Sequence, residues 1–229
     1  MNTPFSKYQI ATAIAILFHV IGFAGIIFYD RELFAQATMI NLLLMFVLLL
    51  WTQSSKNLYF FLFLIATCAV GMTVEIVGVN TGSLFGDYSY GKVLGYKFMK
   101  VPWIIGVNWF IIIYCCGISI HTLLMKAIMR IAIETKTKPL TLKAMTVIFD
   151  GATIAVFFDW VMEPVATKLG FWQWRNGGDV PLFNYISWLI VSMTLLALFH
   201  FSPFPKQNKF AVHLLLIQLM FFLLLRTFL

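Results

Sequence analysis

Residues 75–109 read EIVGVNTGSLFGDYSYGKVLGYKFMKVPWIIGVNW, and what flanks this stretch decides the fold. Upstream lies the apolar run Leu58–Val79, and downstream lies Pro102–Leu124. Each is long enough to cross a bilayer as a helix, which takes about 20 residues. Glu75 therefore sits about four residues, or ~6 Å of helix rise, before a membrane exit. Gly78, Gly82, Gly86, Gly91 and Gly95 give the intervening loop freedom for tight turns. Phe85, Tyr88, Tyr90 and Tyr96 supply amphipathic rings suited to an interface. An aromatic belt explains the tyrosines but not a carboxylate buried beside them. Nowhere else in the chain do acid, glycine and aromatic residues crowd so closely.

Working outward, five more apolar runs of spanning length appear: Tyr8–Tyr29, Leu33–Thr52, Leu140–Glu163, Pro181–Phe201 and Phe210–Leu225. The chain is 61% hydrophobic and 11% charged, with mean hydropathy +0.91. Soluble domains carry about 45–50% apolar and about 25% charged residues. The runs are continuous and lack the period-two alternation of barrel strands. The expected fold is an all-α integral membrane protein of about seven transmembrane helices, one polytopic domain over residues 1–229. The first run is too long for a signal h-region and no small-x-small cleavage site follows it, so it is expected to be retained.

The net charge of +7 reflects topology and anionic headgroups rather than nucleic acid. With the N-terminus inside, nine Lys/Arg fall on the inner side: Lys7, Lys56, Lys126, Arg130, Lys136, Lys138, Lys143, Lys206 and Lys209. Seven fall outside: Arg31, Lys92, Lys97, Lys100, Lys168, Arg175 and Arg226. The dense Lys126–Lys143 loop favours an N-in, C-out arrangement, and a bacterial or archaeal cytoplasmic membrane is expected. Cys68, Cys115 and Cys116 all lie within spans, with no disulfide or metal spacing, and read as packing residues. His19, in the middle of span one, reads as a hydrogen-bonded contact between helices. Asp30-Arg31-Glu32 reads as a solvated connection.

Span five carries three acids, Asp150, Asp159 and Glu163. Asp159 and Glu163 are four apart and share a helix face. Asp150, nine residues earlier, is half a turn away and about 13 Å deeper; it is a possible additional acid in a separate environment. Pro164 then closes the span, followed by a loop with Trp172, Trp174, Gly177 and Gly178. A repeat emerges here. Val101-Pro102 precedes Trp109 by seven residues, and Val180-Pro181 precedes Trp188 by the same spacing. Spans three–four and five–six would be parallel repeats about an axis along the membrane normal. With or without the repeat, Glu75, Asp159, Glu163, Trp109, Asn184 and Trp188 fall within about two turns of one membrane face.

A carboxylate in hydrocarbon costs about 2.5–3.5 kcal/mol on insertion scales, so it is a functional candidate by default. Paired carboxyls divide into an acid and a base, and Trp and Tyr faces stabilise cations. Such a set suits protonation of an isoprenoid double bond. Other sites fit poorly. His19, His121, His200 and His213 include no pair three or four apart, which disfavours a histidine-box di-iron oxygenase. There is no GxGxxG and no P-loop, and Lys206 and Lys209 precede span seven, where a retinal Schiff base would need a lysine inside it.

The run Glu75…Gly78…Gly82…Phe85-Gly86-Asp87-Tyr88-Ser89-Tyr90…Leu94-Gly95…Val101-Pro102…Trp109, with a second run Asp159-Trp160-Val161-Met162-Glu163-Pro164…Gly170-Phe171-Trp172-Gln173-Trp174…Val180-Pro181…Asn184…Trp188, resembles a membrane carotenoid-biosynthesis family. That family includes the CruF-type carotenoid 1,2-hydratases and bisanhydrobacterioruberin hydratases. The likeness covers spans three to six. The chain departs from it at Glu163-Pro164, where the family has Asp-Pro, and at Gly-Gly-Asp-Val-Pro before span six, where a Tyr and Gly-Val-Pro are expected.

The resemblance implies redox-neutral addition of water across the terminal C1=C2 bond of an acyclic carotenoid held in the bilayer among membrane lipids. It implies no metal and no redox cofactor. Glu75 and Asp159 would be acid and base in either order, with Glu163 coupled to Asp159. Tyr88, Tyr90, Trp109, Trp172, Trp174 and Trp188 would line the pocket, and Asn184 would hold water or a carboxyl. Three alternatives stay open: a lycopene-cyclase-like enzyme, a proton-coupled transporter or binding protein, and acids that merely pair with Lys92, Lys97, Lys100 or Arg175 at the interface.

Overall fold

The computed structural model describes residues 5–123, 130, 133, 139–175 and 179–229. Lys126, Lys136 and Lys138, between α5 and α6, and Gly177 and Gly178, between α6 and α7, lie outside the described residues. Among the described residues the order is α1 (Lys7–Phe28), α2 (Arg31–Gln36), α3 (Thr38–Thr52), α4 (Leu58–Thr81), β1 (Tyr88–Tyr90), β2 (Lys97–Phe98), β3 (Val101–Pro102), α5 (Ile104–Leu123), α6 (Pro139–Lys168), β4 (Trp172–Trp174), α7 (Leu182–Phe201) and α8 (Lys209–Phe228). Seven helical stretches are long and apolar enough to cross a membrane, with α2 and α3 together forming the second.

Short polar residues set the helix starts. Ser6 and Gln9 form a reciprocal capping box on α1, Asp30 accepts from the Leu33 amide at 3.0 Å, and Asn57 accepts from the Phe60 amide at 3.0 Å. The Asp30-Arg31-Glu32 turn is thus a cap as well as an exposed connection. Helix α4 ends on Gly82 at φ +68°, whose amide bonds back to the Gly78 carbonyl; that left-handed cap favours glycine.

Helix α5 is the axis of the bundle. Its sequence is apolar on every side, and Ile111 through Ile113, Cys115 and Cys116 are all buried, as expected for a helix surrounded by others. Helices α3, α4, α6, α7 and α8 all pack on it. Close approach to α4 depends on small residues: a Cβ at Gly71 would lie 2.5 Å from the Trp109 Cβ, and one at Gly106 would lie 2.9 Å from the Cys68 carbonyl oxygen. Cys115 and Cys116 are buried in α5, Cys68 is half-buried on α4, and all three are free thiols.

Two boundaries differ from the sequence reading. Pro102 does not open span four; it belongs to β3, paired with Lys97, and the helix starts at Ile104. Nor does Pro164 end span five, since α6 continues to Lys168. Proline has no N–H for the carbonyl four residues back, which here belongs to Trp160. The Arg226 guanidinium of α8 fills the gap, donating to that carbonyl at 3.3 Å and lying 4.2 Å from the Trp160 ring centroid. Replacing Arg226 by Met is expected to lower stability by about 1 kcal/mol, the worth of one hydrogen bond plus a cation–π contact, measured as a lower thermal unfolding midpoint in detergent. An unchanged midpoint would mean the proline break needs no partner.

His19 is buried, but its Nδ1 contacts the Ala15 carbonyl of its own helix at 2.7 Å. Its contact with α8 is an edge-on ring packing against Phe221 at 5.2 Å. The expected hydrogen bond between helices is thus replaced by one within α1, because the carbonyl four residues back lies directly within reach of the ring.

Candidate active site

Strands β1 and β4 are each three residues long and come from different loops, yet they pair antiparallel: Tyr88 faces Trp174, Ser89 faces Gln173, and Tyr90 faces Trp172. Alternation along a strand puts Tyr88 and Tyr90 on one face, and Trp172 and Trp174 likewise. All four aromatic side chains point at the ends of α4 and α6, where the acids lie. The pairing clasps the α4–α5 and α6–α7 loops into one roof.

Beneath the roof, Glu75 on α4 accepts from the Tyr88 hydroxyl at 2.5 Å and the Tyr90 hydroxyl at 2.7 Å. Its other oxygen accepts from the Trp109 indole at 3.0 Å. Gly78 makes this possible: it sits one turn after Glu75, and a Cβ there would crowd the Phe85 ring at 3.0 Å and the Tyr88 hydroxyl at 3.2 Å. Burial first, and the Glu75 charge second, push both phenols well above their ordinary range, so both remain donors. Three donors on one carboxylate occupy both its oxygens.

Glu163 on α6 is treated in parallel fashion. One of its oxygens accepts from the Trp172 indole at 3.0 Å and the Trp174 indole at 3.1 Å. One strand of the clasp thus serves one acid and its partner strand the other. Trp109 and Trp188, the repeated tryptophans, stack on each other with centroids 4.1 Å apart and planes 16° from parallel.

Asp159 differs from both. Its Oδ2 accepts from the Asn184 amide at 2.7 Å, but its Oδ1 is buried and has no partner among the described residues. Glu75, Asp159 and Glu163 are 5%, 1% and 3% exposed, and together with Asn184, Trp188 and the aromatic roof they enclose about 30 Å³. That is room for a water or two.

Every residue expected to form the site converges here, and Asp150, expected in a separate environment, lies apart. It lies on an exposed side of α6, half a turn and about 13 Å from Asp159, and plays no part in this pocket. Phe85, read from the sequence as an interfacial ring, instead lines the same space and holds a left-handed backbone at φ +64°, a strained conformation for a bulky residue. Its signal was only its place before Gly86, whose φ of +117° completes the turn. Of the five loop glycines, Gly82, Gly86 and Gly95 have positive φ, while Gly78 and Gly91 are there for space.

Interfacial cations leave the acids alone. Arg175 pairs with Asp87 at 3.4 Å, and Lys97 donates to the Tyr90 carbonyl at 2.6 Å. No Lys or Arg forms an ion pair with Glu75, Asp159 or Glu163 among the described residues. None of the described His, Cys, Asp and Glu side chains form a group of three placed to hold a metal ion.

Gly91 locks the roof. Its amide donates to the Phe171 carbonyl at 2.8 Å, and a Cβ would lie 2.0 Å from the Gly170 carbonyl oxygen. Gly91→Ala is expected to force β1 from β4 at a cost of about 1–3 kcal/mol, seen as faster proteolysis of both clasped loops. Cleavage at the wild-type rate would mean the loops do not depend on each other.

Comparison with known proteins follows the same outline. A family model described as "Carotenoid biosynthesis protein" matches residues 33–229. A bisanhydrobacterioruberin hydratase from Haloarcula japonica is 27% identical over 142 residues, 61% of this chain and 44% of that relative. The match thus spans less than half the relative's length. No solved structure matches this chain. The family model covers six of the seven spans, both loops and every residue of the acidic pocket, and the chain belongs to the carotenoid biosynthesis protein family.

Proposed function

We propose that this protein adds water to the terminal C1=C2 bond of an acyclic carotenoid end, with Asp159 as the acid. The unpartnered, buried Oδ1 of Asp159 is the observation that carries this reading. Its other oxygen is held by Asn184, so the carboxyl is fixed in orientation while one oxygen stays free to hand a proton on. In the protonated state Asp159 gives that proton to C2, and the π electrons of the double bond form the new C–H bond. The tertiary cation left at C1 faces the π surfaces of the indole walls and the carboxylate of Glu75.

Water then attacks C1, and the proton it sheds goes to Glu163. Both indole donors fall on one oxygen of Glu163, which leaves the other for a water. Transfer of a proton back to Asp159 completes the cycle, and the net change is one water added, with no oxidation. Glu75, filled by three donors, serves as the fixed negative charge opposite the cation. Preorganised charge of this kind is worth the most in a water-excluded site.

Expression in a host that accumulates an acyclic carotenoid tests this. Pigment heavier by one water supports hydration. An isomer of unchanged mass would instead favour cyclisation, in which a neighbouring double bond captures the same cation. Unaltered pigment would leave a transporter or binding protein.

A further inference from the structure

At the end of the bundle opposite the acids, cations gather without carboxylates. Helices α1, α6 and α8 begin there, and α5 and α7 end there. Tyr8 at the start of α1, His121 at the end of α5 and residues 206–209 ahead of α8 line a cavity of about 380 Å³. Small-ligand sites run to about 300–1,000 Å³. Lys206 and Lys209 are in the lining, and the Lys7 ammonium lies 5.3 Å from the Tyr8 ring centroid. Lys143 on α6 is near enough for its charge to be felt at Lys206. Among the described residues no acid lines the cavity and none of these lysines forms an ion pair. Charge bias across a bilayer accounts for lysines near one face, but not for a cavity among them.

The segment that carries Lys206 and Lys209 is fixed in place. Gln53, just past α3, donates to the Pro205 carbonyl at 2.8 Å. Asn208 donates to the Thr52 hydroxyl at 3.1 Å and the Tyr114 hydroxyl at 3.2 Å, and accepts from the Phe210 amide at 3.1 Å. Both side chains are buried, so the α7–α8 connection is pinned to α3 and α5. Lys206 is itself held. Its ammonium donates to the Ser202 carbonyl at 2.6 Å and lies 4.6 Å from the Phe204 ring centroid and 5.3 Å from that of Phe199. Aromatic faces and a carbonyl orient a cation without neutralising it. Burial, and then the Lys143 charge, bring this ammonium down to about 8, and a bound anion opposes both effects. Lys209 opens α8, whose positive end adds to the same field.

We propose that this cavity binds a phosphate group, with Lys206 and Lys209 as its charged contacts and the His121 ring as a further donor. Basic side chains from separate elements around one space suit the several oxygens of a phosphate, and basic pockets between spans take lipid headgroups in this way. The group is the phosphodiester of an anionic lipid or phosphate from solution, and the two share this chemistry. Bound there, it ties the starts of α1 and α8 to the end of α5. The site lies across the bundle from the acids and rests on nothing in the hydration reading.

The whole chain, stripped of lipid in mild detergent, is titrated at fixed ionic strength with inorganic phosphate and, separately, with dihexanoyl phosphatidylglycerol. Chloride and dihexanoyl phosphatidylcholine are the respective controls. The rise of the thermal unfolding midpoint with ligand gives an apparent Kd. A lipid site should prefer phosphatidylglycerol over phosphatidylcholine by about ten-fold, whereas a site for free phosphate should respond to inorganic phosphate and not to chloride. The tighter of the two ligands identifies the source. Lys206→Gln should weaken its binding by about ten-fold, as loss of a charged hydrogen bond does. Lys209→Glu, at an exposed position where the fold tolerates change, should weaken it by about as much. Lys56→Glu makes the same charge change at the same end of the bundle, on an exposed residue outside the cavity, and should stay within about two-fold.

No response to either ligand overturns the proposal. So does equal weakening by Lys209→Glu and Lys56→Glu, which would mean that charge is spread over the face and no site exists. Pigment conversion is not part of the readout, so failure of hydration leaves this result untouched.

Discussion

Asp159→Asn is expected to lower conversion of the acyclic end by about 10²–10⁴-fold, the usual contribution of a positioned acid, with the protein still folded in the membrane. The substitution keeps the shape of the side chain. Asn184 donates to Oδ2, and an amide oxygen in that place accepts the same bond. The amide nitrogen then takes the position of Oδ1, the atom without a partner, and can neither release a proton to carbon nor be replenished. Product formed per protein in isolated membranes measures the loss, and the thermal midpoint checks the fold. Activity within a few-fold of wild type would remove Asp159 from the chemistry.

Glu75→Gln is expected to be as severe in activity and worse in stability. Three donors converge on this side chain, from Tyr88, Tyr90 and Trp109. A glutamine has one acceptor oxygen, and its NH₂ meets at least one donor head-on. An unpaired buried donor costs about 1–3 kcal/mol. Because the tyrosines hang from the clasped strand and Trp109 stacks on Trp188, misalignment spreads across the pocket. Loss of the fixed charge opposite the cation adds a drop of about 10²–10³-fold in turnover. The contrast between the variants is informative: Asp159→Asn should leave the midpoint near wild type, while Glu75→Gln should lower it. Equal midpoints with equal loss of activity would mean Glu75 acts without its donors.

Much of this was legible because hydrocarbon penalises charge. Glu75, Asp159 and Glu163 stand out in apolar runs, and an alternating topology puts them near one face whatever the packing. The spans themselves follow from continuous apolar runs of bilayer length. The clasp was not legible. YSY and WQW are each three residues, too short for a strand signal, and their pairing joins loops about 85 residues apart in a register that only the packed helices impose. Helix α6 passing Pro164 was hidden for a related reason, since the group that compensates, Arg226, lies more than 60 residues on.

Asp150 was legible in the opposite sense. A carboxylate in a span draws notice by its cost, but nine residues of helix turn it half a turn from Asp159, and the spacing alone was enough to set it in a separate environment, exposed on α6.

The reaction itself is tested most directly by the origin of the added oxygen. Membranes containing the protein, incubated with an acyclic carotenoid in oxygen-labelled water under unlabelled air, should give an alcohol whose hydroxyl oxygen is labelled, with one non-exchangeable deuterium at C2 when the water is deuterated. An alcohol whose oxygen comes from air, or a product carrying neither label, would contradict acid-catalysed hydration in this pocket.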